Sequence, residues 1–182
     1  MKKPGRRRRI LKVLALGCGT IALLFGALVV WIGLQIYQAT RPVELSEHHP
    51  FRSSAKKKRY LAHYDARAEG WPVVSETLMV ETSWGRTFVR ISGPADGPPL
   101  VLLPGANATS LMWETNIEAF SGSHRVYAVD NVFDFGRSIY TRNFTTGADF
   151  VSWFDELLDA LGLEKIRLVG LSYGGWISSE YT

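Results

Sequence analysis

The run "IRLVGLSYGGW", residues 166–176, admits few local structures. Ile166 to Leu171 form a short, almost continuous apolar run, of the kind that suits a strand covered on both faces of a sheet. Gly170, Gly174 and Gly175 interrupt it around Ser172, and "YGGWISSEYT" starts a helix. A strand that turns sharply into a helix forces its central residue into a strained backbone conformation and holds that side chain clear of the sheet. The glycines leave room for neighbouring backbones to approach. The N–H of Tyr173, at the new helix start, then faces any anion formed at the serine, aided by the helix dipole. A Gly-x-Ser-x-Gly match alone carries little weight, so its place between strand and helix carries the reading. A serine that only caps the helix is the plainer alternative.

The residues before it alternate strand and helix signals. "VVSETLMVET" (73–82) and "RTFVRISG" (86–93) alternate apolar and polar residues on either side of "SWG", as two half-buried strands joined by a tight turn do. "LVLLPG" (100–105) suits a strand covered on both faces. Leu111, Trp113, Ile117 and Phe120 give 110–120 a helical apolar spacing. "RVYAVD" (125–130) reads as a buried strand, "FDFGRSIYTRN" (133–143) as a loop, and "GADFVSWFDELLDALG" (147–162) as an amphipathic helix ending at Gly162. Such alternation implies an α/β fold with a parallel sheet and helices on both faces.

Charge divides the chain. Residues 1–60 hold 13 Lys and Arg against 2 Glu, a net of +11, and residues 61–182 hold 8 basic and 15 acidic side chains, a net of −7. Such a split marks a nucleic-acid-binding arm or a membrane-flanking segment, and the residues between the basic clusters decide for the membrane. Val13 to Ile36 is 24 residues without a formal charge, about 36 Å as a helix against a hydrocarbon core of roughly 30 Å. The expectation is one transmembrane helix at 13–36 in a lipid bilayer, after a basic cytoplasmic tail at 1–12, with no nucleic-acid partner. Basic residues crowd before the span and thin out after it, which places the N-terminus in the cytoplasm and the larger part outside the cell membrane. The apolar run is longer than that of a cleaved leader, and no small-x-small site lies near "IYQATRP". Residues 37–70 read as a linker and juxtamembrane helix whose Lys56–Arg59 cluster either rests on anionic headgroups or is a solvated charge run. Cys18 is the only cysteine, so no intrachain disulfide forms.

"LVLLPGANATSLMW" (100–113), "YAVDNVFDFGRS" (127–138) and "LVGLSYGGW" (168–176), in that order, resemble the N-terminal half of an α/β-hydrolase over residues 71–182. The resemblance implies a partial α/β-hydrolase sheet with flanking helices, preceded here by the transmembrane helix. It implies Ser172 as a nucleophile for esterase-like acyl transfer to water, with the backbone N–H groups of Ala106 and Tyr173 as the oxyanion hole. Gly170, Gly174 and Gly175 would be the elbow glycines. It further implies a small-molecule ester or related acyl substrate, and neither metal nor organic cofactor. Where family members commonly carry His-Gly at the end of the third strand, this chain has Pro104-Gly105. Proline supplies no imidazole hydrogen bonds to brace the loop, which bears directly on the position of Ala106.

A serine hydroxyl needs an imidazole to take its proton and a carboxylate to orient that imidazole. In this fold both follow the serine, whereas His48, His49, His63 and His124 all precede Ser172. Asp130 falls where the family has a structural aspartate and Asp155 lies on a predicted helix, so neither suits the triad. The expectation is a chain truncated shortly after the elbow, with its last strand as a sheet edge, inactive as a hydrolase on its own. The alternative is a non-catalytic, membrane-anchored binding or interaction module with a degenerate hydrolase fold.

Overall fold

Turn length and side-chain alternation decide how these segments pair. The computed structural model describes residues 23–37, 45, 46 and 48–182, so the predicted basic tail and the first part of the predicted span lie outside the described residues. Helix α1 occupies residues 23–37, with Leu23, Leu24, Phe25 and Val30 exposed. Among the described residues no helix is long and apolar enough to cross a membrane. The spanning helix expected at 13–36 is therefore not found, because only its residues from 23 onward are described, about 21 Å at 1.5 Å per residue.

Glu44–Thr182 form a second unit. It includes α2 (Ser54–Ala68), whose first turn is capped by Ser53 Oγ accepting from the Lys56 N–H at 3.3 Å. The strands are β1 (Ser75–Thr82), β2 (Gly85–Ser92), β3 (Pro99–Leu103), β4 (Arg125–Val129), β5 (Ile139–Tyr140) and β6 (Arg167–Gly170). They run in the order β1-β2-β4-β3-β6, with β5 paired to β2. Only β4-β3-β6 is parallel; β1, β2, β4 and β5 pair antiparallel. The expected parallel sheet is thus a mixed one. Ser83 and Trp84 alone connect β1 to β2, too short a link for the crossover that a parallel pair requires.

β5 lies inside the stretch expected to be a loop. It reaches β2 where Gly85 sits at φ 130°, and a Cβ at that position would overlap the Ile139 carbonyl. The helix expected over 110–120 is two pieces, a 3-10 helix (Ser110–Thr115) and α3 (Ile117–Ser121). Leu111 packs with Tyr64 and Phe88 while Trp113 and Ile117 pack beneath β3 and β4, so one straight helical face could not serve both.

α4 (Gly147–Leu161) and α5 (Tyr173–Tyr181) cover the other face. Val101 and Leu103 of β3 point toward them, joining Val89, Ile91, Val129, Trp153, Phe154, Leu157 and Ile177 in the larger core cluster. Leu100 and Leu102 point the opposite way, onto Trp113 and Ile117. This alternation explains the continuous apolar run of β3: each face of the strand meets a helix, and each fully buried Leu or Val contributes about 1.5–3 kcal/mol. α4 ends where predicted, at Gly162, which takes φ 68°.

Candidate active site

Ser172 occupies the junction between β6 and α5 at φ 51°, ψ −109°, in the region that L residues avoid. Such a conformation costs about 1–3 kcal/mol and persists only where the surroundings impose it. Here they do. The Leu171 N–H donates to Leu103 O at 3.2 Å, the Gly174 N–H to Leu171 O at 2.9 Å and the Trp176 N–H to Ser172 O at 2.9 Å. A Cβ on Gly170 would overlap the Gly174 carbonyl, and one on Gly174 would overlap the Leu103 carbonyl. A Cβ on Gly175 would stand 3.2 Å from Gly170 O. Ser172 is exposed, and its side chain makes no capping bond to α5, so the helix-cap alternative finds no hydrogen bond to support it.

The loop after β3 lies alongside. A Cβ on Gly105 would be 3.7 Å from Ser172 Cβ and 3.5 Å from Leu171 O. Ala106 follows, exposed, in a turn closed by the Ala108 N–H to Gly105 O at 3.1 Å. Pro104 brings no side-chain donor, but the loop is tied down by two residues that sequence reasoning passed over. Asn131 Nδ2 donates to Pro104 O at 3.3 Å, and Asp134 Oδ2 accepts from the Asn107 N–H at 2.6 Å. The second bond holds Asn107 at φ 60°. Asp134 Oδ1 also accepts from the Phe135 N–H at 2.7 Å. Burial pushes the Asp134 carboxyl up from its ordinary range, and the N–H groups of Phe135 and Asn107 pull it back. The signal available in the sequence was the pair of polar residues in "DNVFD", directly after an apolar strand.

Neither the Ala106 N–H nor the Tyr173 N–H donates to another described residue. Tyr173 is the first residue of α5, where no intrahelical acceptor exists. The Tyr173 ring stacks on Trp176 at 5.2 Å and meets Phe133 edge-on at 5.4 Å.

Asp130, the residue after β4, is fully buried and serves the scaffold. Its carboxylate accepts from the Ser110 N–H at 2.7 Å, the Tyr64 hydroxyl at 3.3 Å and the Arg137 N–H at 2.9 Å. Burial pushes its carboxyl up, opposed by these bonds. Asp155 is exposed on α4. His124 Nδ1 bonds Ser123 Oγ at 2.9 Å, His49 packs edge-on against Tyr140, and His63 lies on α2. Among the described residues no imidazole hydrogen-bonds to Ser172 Oγ, and no cluster of three or more His, Cys, Asp or Glu could hold a metal.

The sequence model of the alpha/beta hydrolase fold matches residues 98–182. Carboxylesterase YbfK of Bacillus subtilis is 44% identical over 117 residues, which cover 64% of this chain and 40% of the relative. The crystal structure of that carboxylesterase superposes with a TM-score of 0.69 at 40% identity, covering 70% of this chain and 45% of its own. Residues 98–182 match the α/β-hydrolase family in sequence, and the fold around them matches in structure. The crystal structure of naproxen esterase, carboxylesterase NP, also from Bacillus subtilis, superposes with a TM-score of 0.67 at 37% identity, over 76% of this chain and 46% of its own. The chain spans less than half the length of these relatives. Ser172 thus presents an exposed hydroxyl on a strained turn of this fold, next to the unengaged N–H of Tyr173.

Proposed function

We propose that this chain carries the nucleophile side of a serine esterase in which Ser172 Oγ, once a base takes its proton, attacks the ester carbonyl and is acylated as the ester C–O bond breaks and the alcohol leaves with that proton. The N–H groups of Ala106 and Tyr173 receive the negative charge that develops on the carbonyl oxygen, and water then releases the acid. The observation that carries this reading is the backbone of Ser172, φ 51° with the side chain exposed and unbonded to its helix, a strained arrangement that contributes nothing to capping. The carboxylesterase names of the relatives support the substrate class. No imidazole contacts Ser172 among the described residues, so the 182-residue chain by itself is inactive in this proposal.

Joining residues 44–182 to the unmatched remainder of YbfK tests the role directly. A fluorophosphonate should label the folded chimera at Ser172 and leave its Ser172→Ala variant unlabelled. A chimera that melts cooperatively yet stays unlabelled would sink the nucleophile assignment and favour the non-catalytic binding module.

Residues 13–36 anchor the protein in a membrane in this proposal, with the hydrolase-fold unit on the outer face. Support comes from the 24 uncharged residues and the basic residues crowded before them. Alkaline carbonate should leave the protein in the membrane pellet, and protease added to intact cells should remove the folded unit. Release into the supernatant would end the anchoring proposal.

A further inference from the structure

α2 does more than precede the sheet. Its Tyr60 packs against Phe51 at 4.9 Å and Phe135 at 5.9 Å, and Phe51 meets Phe135 at 5.3 Å. These three rings floor an open cavity of about 560 Å³. Its wall includes Asn107, one residue beyond Ala106 in the loop whose Gly105 abuts Ser172. The cavity therefore opens at the loop beside the strained serine.

Its rim is cationic. Lys56, Arg59 and His63 line it, at i, i+3 and i+7 along α2, one face of the helix. None of the three is in an ion pair among the described residues, in contrast to Arg67 with Glu114 and Arg137 with Asp65. Among the described residues no carboxylate lines the cavity. Asp134, the nearest acidic group along that loop, is already engaged by the Asn107 and Phe135 N–H groups. Burial, then Asp130 and Asp134, push the Tyr60 hydroxyl up to about 12, so it stays a neutral donor. Two unpaired permanent cations over an aromatic floor match a ligand that is apolar along its length and anionic at its end.

We propose that this cavity holds the remote end of an amphiphilic ester substrate, its alkyl or aryl part against Phe51, Tyr60 and Phe135 and its terminal carboxylate or phosphate on Lys56 and Arg59. The inference rests on the esterase reading of Ser172 and names its substrate class: soluble esters that carry a second, anionic group.

The test reads binding without turnover. The full chain in phosphatidylcholine nanodiscs is titrated calorimetrically with hexyl phosphate and with hexanol. Hexyl phosphate should bind at least about tenfold more tightly, as charge-assisted hydrogen bonds warrant. The Lys56→Gln/Arg59→Gln double variant should lose that preference, while Lys58→Gln, off the cavity face, should keep it. Unchanged tryptophan fluorescence in each variant confirms the fold. Absence of binding, equal affinity for the two ligands, or a preference that survives the double variant would overturn the proposal. So would displacement of hexyl phosphate by phosphatidylglycerol discs, which would make this a lipid headgroup site. An unreactive Ser172 leaves the binding result intact, and a reactive Ser172 without anion preference removes only this inference.

Discussion

Pro104 takes from the loop beside Ser172 the side chain that family members commonly use there, and Asp134 ties the same loop from the other end. Its two oxygens accept from different N–H groups, at 2.6 and 2.7 Å, so an amide cannot replace it: asparagine has one acceptor oxygen and would turn its NH2 toward a donor. Asp134→Asn should lower the unfolding free energy by about 1.5–3 kcal/mol, the range for a lost hydrogen bond to a charged group, as read from urea denaturation. A change below about 0.5 kcal/mol, the scale of ordinary surface substitutions, would mean that the loop is held by something else. At this scale the sequence spoke unevenly. Ser172 was legible because strand, glycines and helix start leave its backbone one solution. Asn131 and Asp134 were not, since their partners are main-chain groups of a segment 27 residues upstream, and no local spacing encodes such a bond.

A helix with one apolar face was legible; a helical segment that serves two clusters was not. α4 shows the first case, with Trp153, Phe154, Leu157 and Leu158 buried and Gly162 closing the helix. The 110–120 segment shows the second, because Leu111 and Trp113 belong to different clusters. β5 has two residues, too few for any alternation to register, and its pairing depends on Gly85 in another strand. The start of α4 gives a pH test. Asp149 accepts from the N–H groups of Thr145 at 2.6 Å and Thr146 at 2.8 Å, and these bonds hold its carboxyl below the usual 3.8. A depressed folded-state pKa contributes stability above the unfolded value and loses it as pH falls through the folded one. The melting-temperature gap between the native chain and Asp149→Asn should therefore be constant from pH 7 to 5 and close below 3.8. A gap that does not narrow as the pH falls below 3.8 would assign the effect to packing.

For the folded unit as a whole, the sheet ends in a single-paired strand at each edge, β1 on β2 and β6 on β3 among the described strands. β6 pairs with β3 alone among the described strands. The Leu171 N–H points at Leu103 O, so by alternation the Val169 N–H also faces β3 and the Leu168 N–H faces away. NMR hydrogen exchange should find Leu168 at least roughly tenfold faster than Val169, since outward amides need no opening of the ladder. Equal protection would reveal a partner along that edge. In the middle of the sheet, just after β4, Asp130 gathers α2 through Tyr64, the 3-10 helix through Ser110 and the following loop through Arg137. Anyone trimming the protein for crystallisation should therefore begin upstream of Phe51 rather than at the first strand. A shorter version would discard the hydroxyl of Tyr64, expose Phe88 and Leu111 to water, and trade a purifiable product for inclusion bodies.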